Sequence, residues 1–390
     1  MKRLKVAVVY PYWPLYREPI ARLLCQQATP NPEYVLISCR ESKDSIKTID
    51  PEKANITVEQ GGLRWRFVEN FWLGKFFLWQ TGIVRLGFSR EFDVIIYLGQ
   101  YSHLSTLVSA VLARMTGKRV LMWTHGFINE NQNVKELIRS FFYRLAHGFL
   151  LYGNRAKKIM ISKGFDPNSL YVIYNSLDYD RQKMIRDTIS DDAPDDYKRE
   201  IFDHNNLPVL LFIGRLTPQK KLSMLIDAGK NLLDAGHPVN ILFIGDGPER
   251  TRLEKLSSKF QMSEYVHFFG ECHDELELAK LIMMSDICVA PGEVGLTAMH
   301  CLAYGTPVIT HDDFSKQMPE YEAIEDGISG TFFRHGDPAD LALKIKGWLS
   351  SGKLKVDVRS RCVGVIEKYY NPRYQLGIIN NAVLGNAAEM

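Results

Sequence analysis

The stretch Leu210-Leu-Phe-Ile-Gly-Arg-Leu-Thr-Pro-Gln-Lys-Lys221 predicts the fold of its half of the chain. An apolar run of strand length ends at Gly214, and a short loop carries Arg215 and Lys220 before a helical pattern begins. A second turn, Pro291-Gly-Glu-Val-Gly-Leu-Thr-Ala-Met-His300, also leads from an apolar strand into a helix. A helix start offers unpaired N–H groups and the positive end of its dipole. Two cations facing such a helix start therefore predict a diphosphate site.

Strands and helices alternate along most of the chain. Short β-branched runs that predict buried parallel strands lie at 6–10, 34–38, 94–99, 119–124, 209–214, 240–245, 266–270, 287–291 and 307–310. Helical patterns separate them at 101–116, 133–147, 223–235, 250–260 and 274–284. This order predicts an α/β protein with two doubly wound, Rossmann-like parallel sheets that face one cleft. The acid-rich segment 186–206 is predicted to be a linker between an N-terminal domain, 1–185, and a C-terminal domain, 207–365.

Composition excludes several classes of protein. The net charge of +3 over 390 residues is too small to indicate a nucleic-acid partner. The six cysteines form no CxxC pair, which favours reduced thiols in a cytosolic protein and argues against zinc. The basic start meets Pro11 after a strand-length run, so we expect no signal peptide. No apolar run is long enough for a spanning helix.

The second half resembles the retaining nucleotide-sugar glycosyltransferases of family 4, which adopt the two-domain GT-B fold. The resemblance depends on four segments in the family's order: 212–220, 243–250, 285–291 and 295–309. In the first half, 172–178 and 121–126 are similar to family segments more weakly. The resemblance implies that the last residues, 366–390, form a helix that crosses back to the N-terminal domain. It also implies domain closure around the donor.

The resemblance gives the donor site its residues. Arg215 and Lys220 match the pair that binds the donor diphosphate, although both would also suit the surface of a loop. The N–H groups at the helix start are expected to meet the same diphosphate, while Gly214 and the Gly245-Asp-Gly247 turn let the backbone approach the nucleotide. Packing alone would explain the glycines nearly as well. The donor-binding set is Gly214, Gly245, Gly247, Glu293, Gly295, Leu296, Thr297 and His300.

The chain departs from the family where the donor sugar binds. The family usually carries two glutamates separated by seven residues, and these fall on Gly292 and His300 here. Glu293 lies one position away and is a candidate substitute, while His300 is able to hydrogen-bond a ribose hydroxyl. The alternatives are an ordinary loop glutamate and a histidine that fills a helix face. This departure leaves the donor open, and with it an inactive member of the family.

Polar residues follow the strands of the first half. His125 ends one strand, and the resemblance implies that it contacts the transferring sugar; a core histidine is the alternative. Tyr16, Arg17 and Glu18 lie in a proline-rich loop after the first strand and are candidates to hold an acceptor. Glu18 is either a base or a partner of Arg17. Tyr101 and His103 open the helix after another strand and are further acceptor candidates.

The segment Leu63–Trp79 is rich in aromatic and basic residues. Such a composition suits a membrane interface or a polyprenyl-linked acceptor, and a helix packed on the sheet is the equal alternative. We therefore expect a cytoplasmic protein with peripheral contact to the anionic inner face of the cytoplasmic membrane.

The resemblance implies metal-independent, retaining transfer of a sugar from a nucleoside-diphosphate donor to a glycan or polyprenyl-linked acceptor, in bacterial surface polysaccharide synthesis such as lipopolysaccharide or capsule. No cofactor is expected. A sugar-nucleotide epimerase of the same fold and a catalytically degenerate nucleotide-sugar-binding partner are the alternatives. An NAD-dependent dehydrogenase is disfavoured because no Gly-x-Gly-x-x-Gly turn follows a strand.

Overall fold

The chain folds into two compact units. The computed structural model describes residues 3–27, 32–42, 46–127, 134–190 and 193–388. Unit 1 comprises 1–178 and 371–390, and unit 2 comprises 179–370. Residue 133, where a helix was expected to start, and 191–192 of the expected linker lie outside the described residues.

Unit 1 is built on a parallel sheet of seven strands in the order β3-β2-β1-β6-β7-β8-β9. The strands of this sheet are β1 (Lys5–Val9), β2 (Glu33–Ser38), β3 (Trp65–Phe67), β6 (Val94–Leu98), β7 (Arg119–Thr124), β8 (Gly148–Leu151) and β9 (Leu170–Val172). Two further strands of unit 1, β4 (Asn70–Leu73) and β5 (Phe77–Gln80), lie outside it. Its first helices are α1 (Glu18–Gln26), α2 (Ile83–Phe88), α3 (Leu104–Met115), α4 (Val134–Tyr143) and α5 (Asn154–Ser162). The order reverses between β1 and β6, so the loops after these strands border the crevice where such sheets bind ligands.

The aromatic segment 63–79 forms strands rather than a helix. Its beginning joins the sheet edge as β3, and β4 and β5 form a separate antiparallel hairpin. Cross-strand pairs place Phe71 opposite Trp79 and Leu73 opposite Phe77 on one face, and these side chains are exposed. The alternative of a helix packed on the sheet is therefore wrong. Alternate residues of a strand lie on opposite faces, so the hairpin presents four of its apolar side chains on one exposed face.

Unit 2 is built on a parallel sheet of six strands in the order β12-β11-β10-β13-β14-β15. Its strands are β10 (Val209–Ile213), β11 (Asn240–Ile244), β12 (Val266–Gly270), β13 (Ile287–Ala290), β14 (Val308–His311) and β15 (Gly330–Phe333). Its helices are α6 (Tyr179–Thr188), α7 (Ala193–Ile201), α8 (Ser223–Asp234), α9 (Arg250–Lys259), α10 (Glu275–Met284), α11 (Leu296–Ala303), α12 (Pro338–Leu349) and α13 (Lys355–Tyr369). The predicted α/β class with two Rossmann-like parallel sheets is confirmed.

The segment 186–206 is not the linker that its polarity predicted. It contributes the end of α6 and the whole of α7, and both helices belong to unit 2. Helix α7 places Asp195 and Asp196 in its first turn and Lys198 and Arg199 in its last. This distribution complements a helix dipole, which explains how so polar a segment is helical.

The chain returns to unit 1 through its last helix, α14 (Pro372–Leu384). Asn371 caps this helix by accepting a hydrogen bond from the N–H of Tyr374 at 2.9 Å. The apolar face of α14 packs against α1 and against β7 to β9 of the unit 1 sheet. Ile379, Ala382 and Val383 are buried in the same core cluster as β1. Helix α13, part of which was expected to cross back, belongs to unit 2.

No described helix is both long enough and apolar enough to traverse a bilayer.

Candidate functional site

Three loops meet where the strand order of unit 2 reverses: those after β10, β11 and β13. The N–H of Gly292 donates to the carbonyl of Lys220 at 3.0 Å, which joins the third loop to the first. The N–H of Leu216 donates to the carbonyl of Asp246 at 2.9 Å, which joins the first loop to the second. The predicted donor residues of this half, His300 excepted, therefore lie in or beside one continuous group of loop ends.

Glycines let these backbones approach each other. A Cβ on Gly245 would lie 2.1 Å from the carbonyl oxygen of Gly214, and one on Gly247 would lie 2.4 Å from that of Leu216. Both glycines also adopt positive φ, at 129° and 157°. The packing of loop on loop thus accounts for both residues, and their contact with a nucleotide stays a prediction.

We call the meeting point of the loops after β10, β11 and β13 the junction. Lys220 is held there by the loop after β13. Its Nζ donates to the carbonyl of Glu293 at 2.8 Å and lies 3.7 Å from the carboxylate of the same residue. Burial lowers the pKa of Lys220, and the negative charge of Glu293 opposes that effect. A cation is therefore fixed beside the start of α11, where an incoming anion would meet it.

The first of the two family glutamates has no room in this chain. A Cβ on Gly292 would lie 2.1 Å from the carbonyl oxygen of Gln219 and 2.8 Å from the Cα of Lys220. Any side chain at Gly292 would push the two loops apart. Glu293 is the carboxylate that this loop presents instead, and its contact is with Lys220 rather than with open solvent alone.

Arg215 is the second predicted cation. Its side chain is exposed, and its guanidinium has no hydrogen-bond or ion-pair partner within the described ranges. It follows Gly214, whose Cβ position would lie 3.6 Å from the Oγ1 of Thr297 in the first turn of α11. An uncommitted planar cation at this place suits bidentate contact with phosphate oxygens.

Helix α11 begins without a side-chain cap. Gly295 occupies the N-cap position with φ 55° and ψ −150°, and no side chain accepts from the first turn. The preceding N–H, of Val294, donates to the Oε1 of Gln317 at 2.9 Å, and the amide of Gln317 donates to the Oγ1 of Thr310 at 2.7 Å. Among the described residues no side chain caps this helix start, so an anion bound there would meet the N–H groups of Leu296 and Thr297. Sequence reasoning missed Gln317 and Thr310, because neither belongs to a motif.

His300 lies in a hydrogen-bonded cluster with Glu275 at the start of α10. The Nε2 of His300 is 3.0 Å from the Oε1 of Glu275, and the hydroxyl of Tyr304 donates to the same oxygen at 2.8 Å. Burial alone would raise the pKa of Glu275, but the bonds from His300, Tyr304 and Gln182 lower it to about 2. Nε2 of His300 is occupied by Glu275, so a ribose hydroxyl would have to bind to Nδ1. The contact between His300 and a ribose stays a prediction.

This cluster predicts a pH-dependent contribution to stability. Because the pKa of Glu275 is lowered in the folded state, its stabilising effect is complete above the ordinary value of 4.5 and is lost as the pH falls toward 2. Glu275→Gln should lower the free energy of unfolding by about 1.5–3 kcal/mol at pH 6, since a hydrogen-bonded charge is removed. The difference in free energy of unfolding between wild type and Glu275→Gln, measured by urea unfolding, should shrink as the pH falls from 4.5 to 3.

Glu277→Gln is the matched control, because Glu277 lies in the same first turn of α10 and its carboxylate has no partner among the residues described. A gap that stays constant down to pH 3 would contradict the assigned role of Glu275.

In unit 1 the loop after β1 brings Tyr16 and Arg17 beside His125. The guanidinium of Arg17 donates to the hydroxyls of Tyr16 and Tyr152, and the ring of His125 lies 4.4 Å from that of Tyr152. The side chain of His125 is open to solvent, yet surrounding protein and the charge of Arg17 lower its pKa to about 4. His125 is therefore a neutral imidazole at pH 7.

The other acceptor candidates lie apart from that group. Glu18 forms its ion pair with Lys53, so the expected pairing with Arg17 is wrong. The ring of Tyr101 lies 5.3 Å from the guanidinium carbon of Arg139 on α4. His103 is buried at the N-cap of α3, and desolvation lowers its pKa to about 4. In the described part of the chain, no contact joins Tyr101 or His103 to Arg17.

Comparison with known proteins identifies the second half of the chain. The family model of the glycosyl transferases group 1 matches residues 195–362, which contain all three loops of the junction. Residues 195–362 belong to the glycosyl transferases group 1 family. The chain is 28% identical to the D-inositol 3-phosphate glycosyltransferase of Geodermatophilus obscurus over 214 residues, 52% of this chain and 45% of that protein.

A second relative is the GDP-mannose-dependent α-(1-6)-phosphatidylinositol dimannoside mannosyltransferase of Mycobacterium tuberculosis, 35% identical over 104 residues, 26% of each chain. The chain thus matches less than half the length of these relatives. The crystal structure of HepE from Anabaena with UDP superposes with a TM-score of 0.71 at 16% identity, covering 97% of this chain and 99% of that one. This likeness shows the GT-B fold.

The described residues contain no group of three His, Cys, Asp or Glu side chains arranged to hold a metal ion.

Proposed function

We propose that the protein is a retaining glycosyltransferase that moves a sugar from a nucleoside-diphosphate donor to a glycan or lipid-linked acceptor. One observation supports it above the others: Lys220 is fixed beside the uncapped start of α11 at the switch point of unit 2. Membership of 195–362 in the group 1 family supports the same activity. The names of relatives supply the donor class, since HepE was crystallised with UDP.

In the proposed reaction the bond between the anomeric carbon and the diphosphate oxygen breaks, and the acceptor hydroxyl oxygen bonds to that carbon. The negative charge that develops on the leaving diphosphate is stabilised by Lys220, Arg215 and the N–H groups of Leu296 and Thr297. The hydroxyl proton passes to the leaving phosphate on the same face, so no metal and no separate base take part. The imidazole of His125 in unit 1 is neutral at pH 7, so it is able to hydrogen-bond a sugar hydroxyl.

The activity is tested by incubating the full chain with UDP-glucose and GDP-mannose, donors that occur in the names of its neighbours. A polyprenyl-linked sugar is added or omitted. Release of nucleoside diphosphate that requires the acceptor, with an α-linked product by NMR, is the expected result. An epimerase would change the donor without acceptor, and a degenerate partner would bind it without turnover. Binding of no nucleotide sugar would end the proposal.

A second part of the proposal is that unit 1 rests on an anionic membrane, where surface polysaccharide is assembled. The β4–β5 hairpin exposes Phe71, Leu73, Phe77 and Trp79 on one face, with Phe76 at its turn 75% exposed. Lys75 in the same turn is also exposed. Aromatic and basic side chains together favour the interface of an anionic bilayer.

Helix α4 adds a second apolar surface. Val134, Leu137, Ile138 and Phe141 are exposed at the spacing of one helical face. The two surfaces flank the same turn after β6: Arg139 of α4 lies over Tyr101, and the N–H of Leu78 donates to the carbonyl of Ser102. Contiguous exposed apolar area of this kind marks an interaction site.

Replacing two exposed aromatic side chains of the hairpin should weaken membrane binding strongly. Phe71→Ser with Phe76→Ser should lower the partition coefficient onto phosphatidylglycerol-rich vesicles, measured by flotation at several lipid concentrations, by about 100-fold or more, because two aromatic side chains that enter the bilayer contribute about 1.5–3 kcal/mol each. Phe88→Ser, an exposed aromatic of α2, is the matched control and should float like wild type. Equal flotation of both variants, or no flotation of wild type, would contradict the proposal.

A further inference from the structure

Arg17 is a buried cation without a counter-ion in the described ranges. Its side chain is 6% exposed, and its guanidinium donates to three tyrosine hydroxyls, those of Tyr10 at 2.8 Å, Tyr16 at 3.2 Å and Tyr152. No described carboxylate lies within ion-pair distance of it. A buried charge without an opposite charge is costly, so its presence calls for an explanation.

Tyr10 and Tyr152 do not supply the missing negative charge. Burial raises the pKa of Tyr10 well above its ordinary value, and burial also raises that of Tyr152. Their hydroxyls are therefore neutral acceptors. The guanidinium also has more N–H bonds than three phenol oxygens accept, so it keeps donor capacity.

The helix dipole makes the local charge more positive. Arg17 is the N-cap residue of α1, a helix of nine residues whose start has no side-chain cap. The start of a helix stabilises anions and destabilises cations. The helix start therefore disfavours the charge of Arg17, which an anion nearby would offset in addition to the aromatic rings around it.

Two indole N–H groups in the same aromatic cluster as Arg17 also lack acceptors. The Nε1 atoms of Trp13 and Trp123 are buried without a hydrogen-bond partner among the described residues. The ring of Trp123 lies 4.9 Å from the guanidinium carbon of Arg17, and the rings of Trp13 and Tyr10 are 4.9 Å apart. A buried N–H without an acceptor costs about 1–3 kcal/mol. The group therefore has hydrogen-bond donors in excess.

Two residues at the edge of the group are not fully buried. His125 is exposed and its ring lies on Tyr152, while Tyr16 is only half-buried. Both residues follow the carboxyl ends of strands, where doubly wound sheets generally bind ligands.

We propose that Arg17, Trp13 and Trp123 bind an oxyanion, a phosphate or carboxylate, and that this anion is carried by the acceptor. The term acceptor rests on the proposed function, whereas the binding of an oxyanion does not. The acceptor would then be a phosphorylated or acidic sugar, or a lipid whose phosphate lies next to the receiving sugar. Neutral sugars alone would bind poorly.

The indole N–H groups report on this site directly in ¹H–¹⁵N NMR spectra of the full chain. Inorganic phosphate and glucuronate are titrated separately, with glucose and ionic-strength-matched sodium chloride as controls and UDP present to fill the donor site. The signals of Trp13 and Trp123, assigned with Trp→Phe variants, should shift saturably with a dissociation constant on the order of 1 mM. The Trp65 indole, which already donates to Ser38 at 2.9 Å, should not move.

Phosphate and glucuronate distinguish a phosphorylated from an acidic acceptor by which one binds more tightly. Arg17→Gln should abolish the shifts while the Trp65 signal stays in place. Unmoved Trp13 and Trp123 signals in wild type would overturn the proposal, as would unchanged shifts in Arg17→Gln. If that variant fails to fold, the wild-type titration still decides. Because this readout needs no turnover, its failure is separate from failure of the transfer assay.

Discussion

Lys220→Ala should lower the turnover of sugar transfer by about 100- to 1000-fold, the loss seen when one donor to a developing oxyanion is removed. The ammonium is fixed by the carbonyl of Glu293 and lies beside the uncapped start of α11. Its contribution to the transition state is therefore available without reorganisation, which corresponds to about 2.7–4 kcal/mol. Steady-state rates with the best donor and acceptor measure the loss.

Lys221→Ala is a matched control, because the neighbouring lysine directs its Nζ to His335 at 2.8 Å instead. Its turnover should stay near that of wild type. The thermal midpoint of both variants is recorded, so that a loss of fold is separated from a loss of catalysis. Turnover of Lys220→Ala within a few-fold of wild type would show that this cation does not stabilise the leaving group.

The strands around the two switch points could be predicted because each is a short, nearly continuous apolar run. β10 and β7 are examples: their central residues are buried on both faces of a parallel sheet, so no polar alternation obscures the pattern. β8 was missed because Gly148–Leu151 directly follows a helical pattern, with no turn signal between the two. β9 has only three residues, too few to show a period.

The hairpin and the helices of 186–206 illustrate a different difficulty. In the hairpin, one face is exposed but apolar, so the usual alternation of polar and apolar residues is absent. In α7 the charges that suggested a linker are arranged to complement the helix dipole, and the helix packs against α10 of unit 2. Composition alone could not separate a charged helix from a linker.

The motif residues of the donor site could be predicted, but their supports could not. Gly214, Arg215 and Lys220 lie in one short segment that signals its loop directly. Gln317 holds the loop before α11 from 23 positions farther along the chain, and Glu275 reaches His300 across 25. Such pairs depend on how the sheet folds. The tyrosine hydroxyls that accept from Arg17 likewise come from distant parts of the sequence, since Tyr152 lies 135 positions away.

Gly245→Ala should lower the free energy of unfolding of unit 2 by about 3 kcal/mol or more. A methyl group there would meet the carbonyl oxygen of Gly214 at 2.1 Å, and overpacking of this kind costs about 1–3 kcal/mol. The φ of 129° adds strain of about 1–3 kcal/mol, because side chains rarely adopt it. The N–H of Gly245 also donates to the carbonyl of Gly270 at 2.7 Å, so relief by backbone movement would disturb that contact. Urea unfolding followed by circular dichroism measures the change.

Gly364→Ala separates this effect from the general consequence of adding a methyl group. Gly364 lies inside α13, and its Cβ position has no atom within 4 Å. Alanine there should stabilise the protein by about 0.5–1 kcal/mol, because it reduces the conformational freedom of the unfolded chain. If Gly245→Ala leaves the free energy of unfolding unchanged, the loops after β10 and β11 are not packed as closely as described. The glycine would then have to be explained by the approach of a nucleotide, and the variant should lose donor binding while its stability is retained.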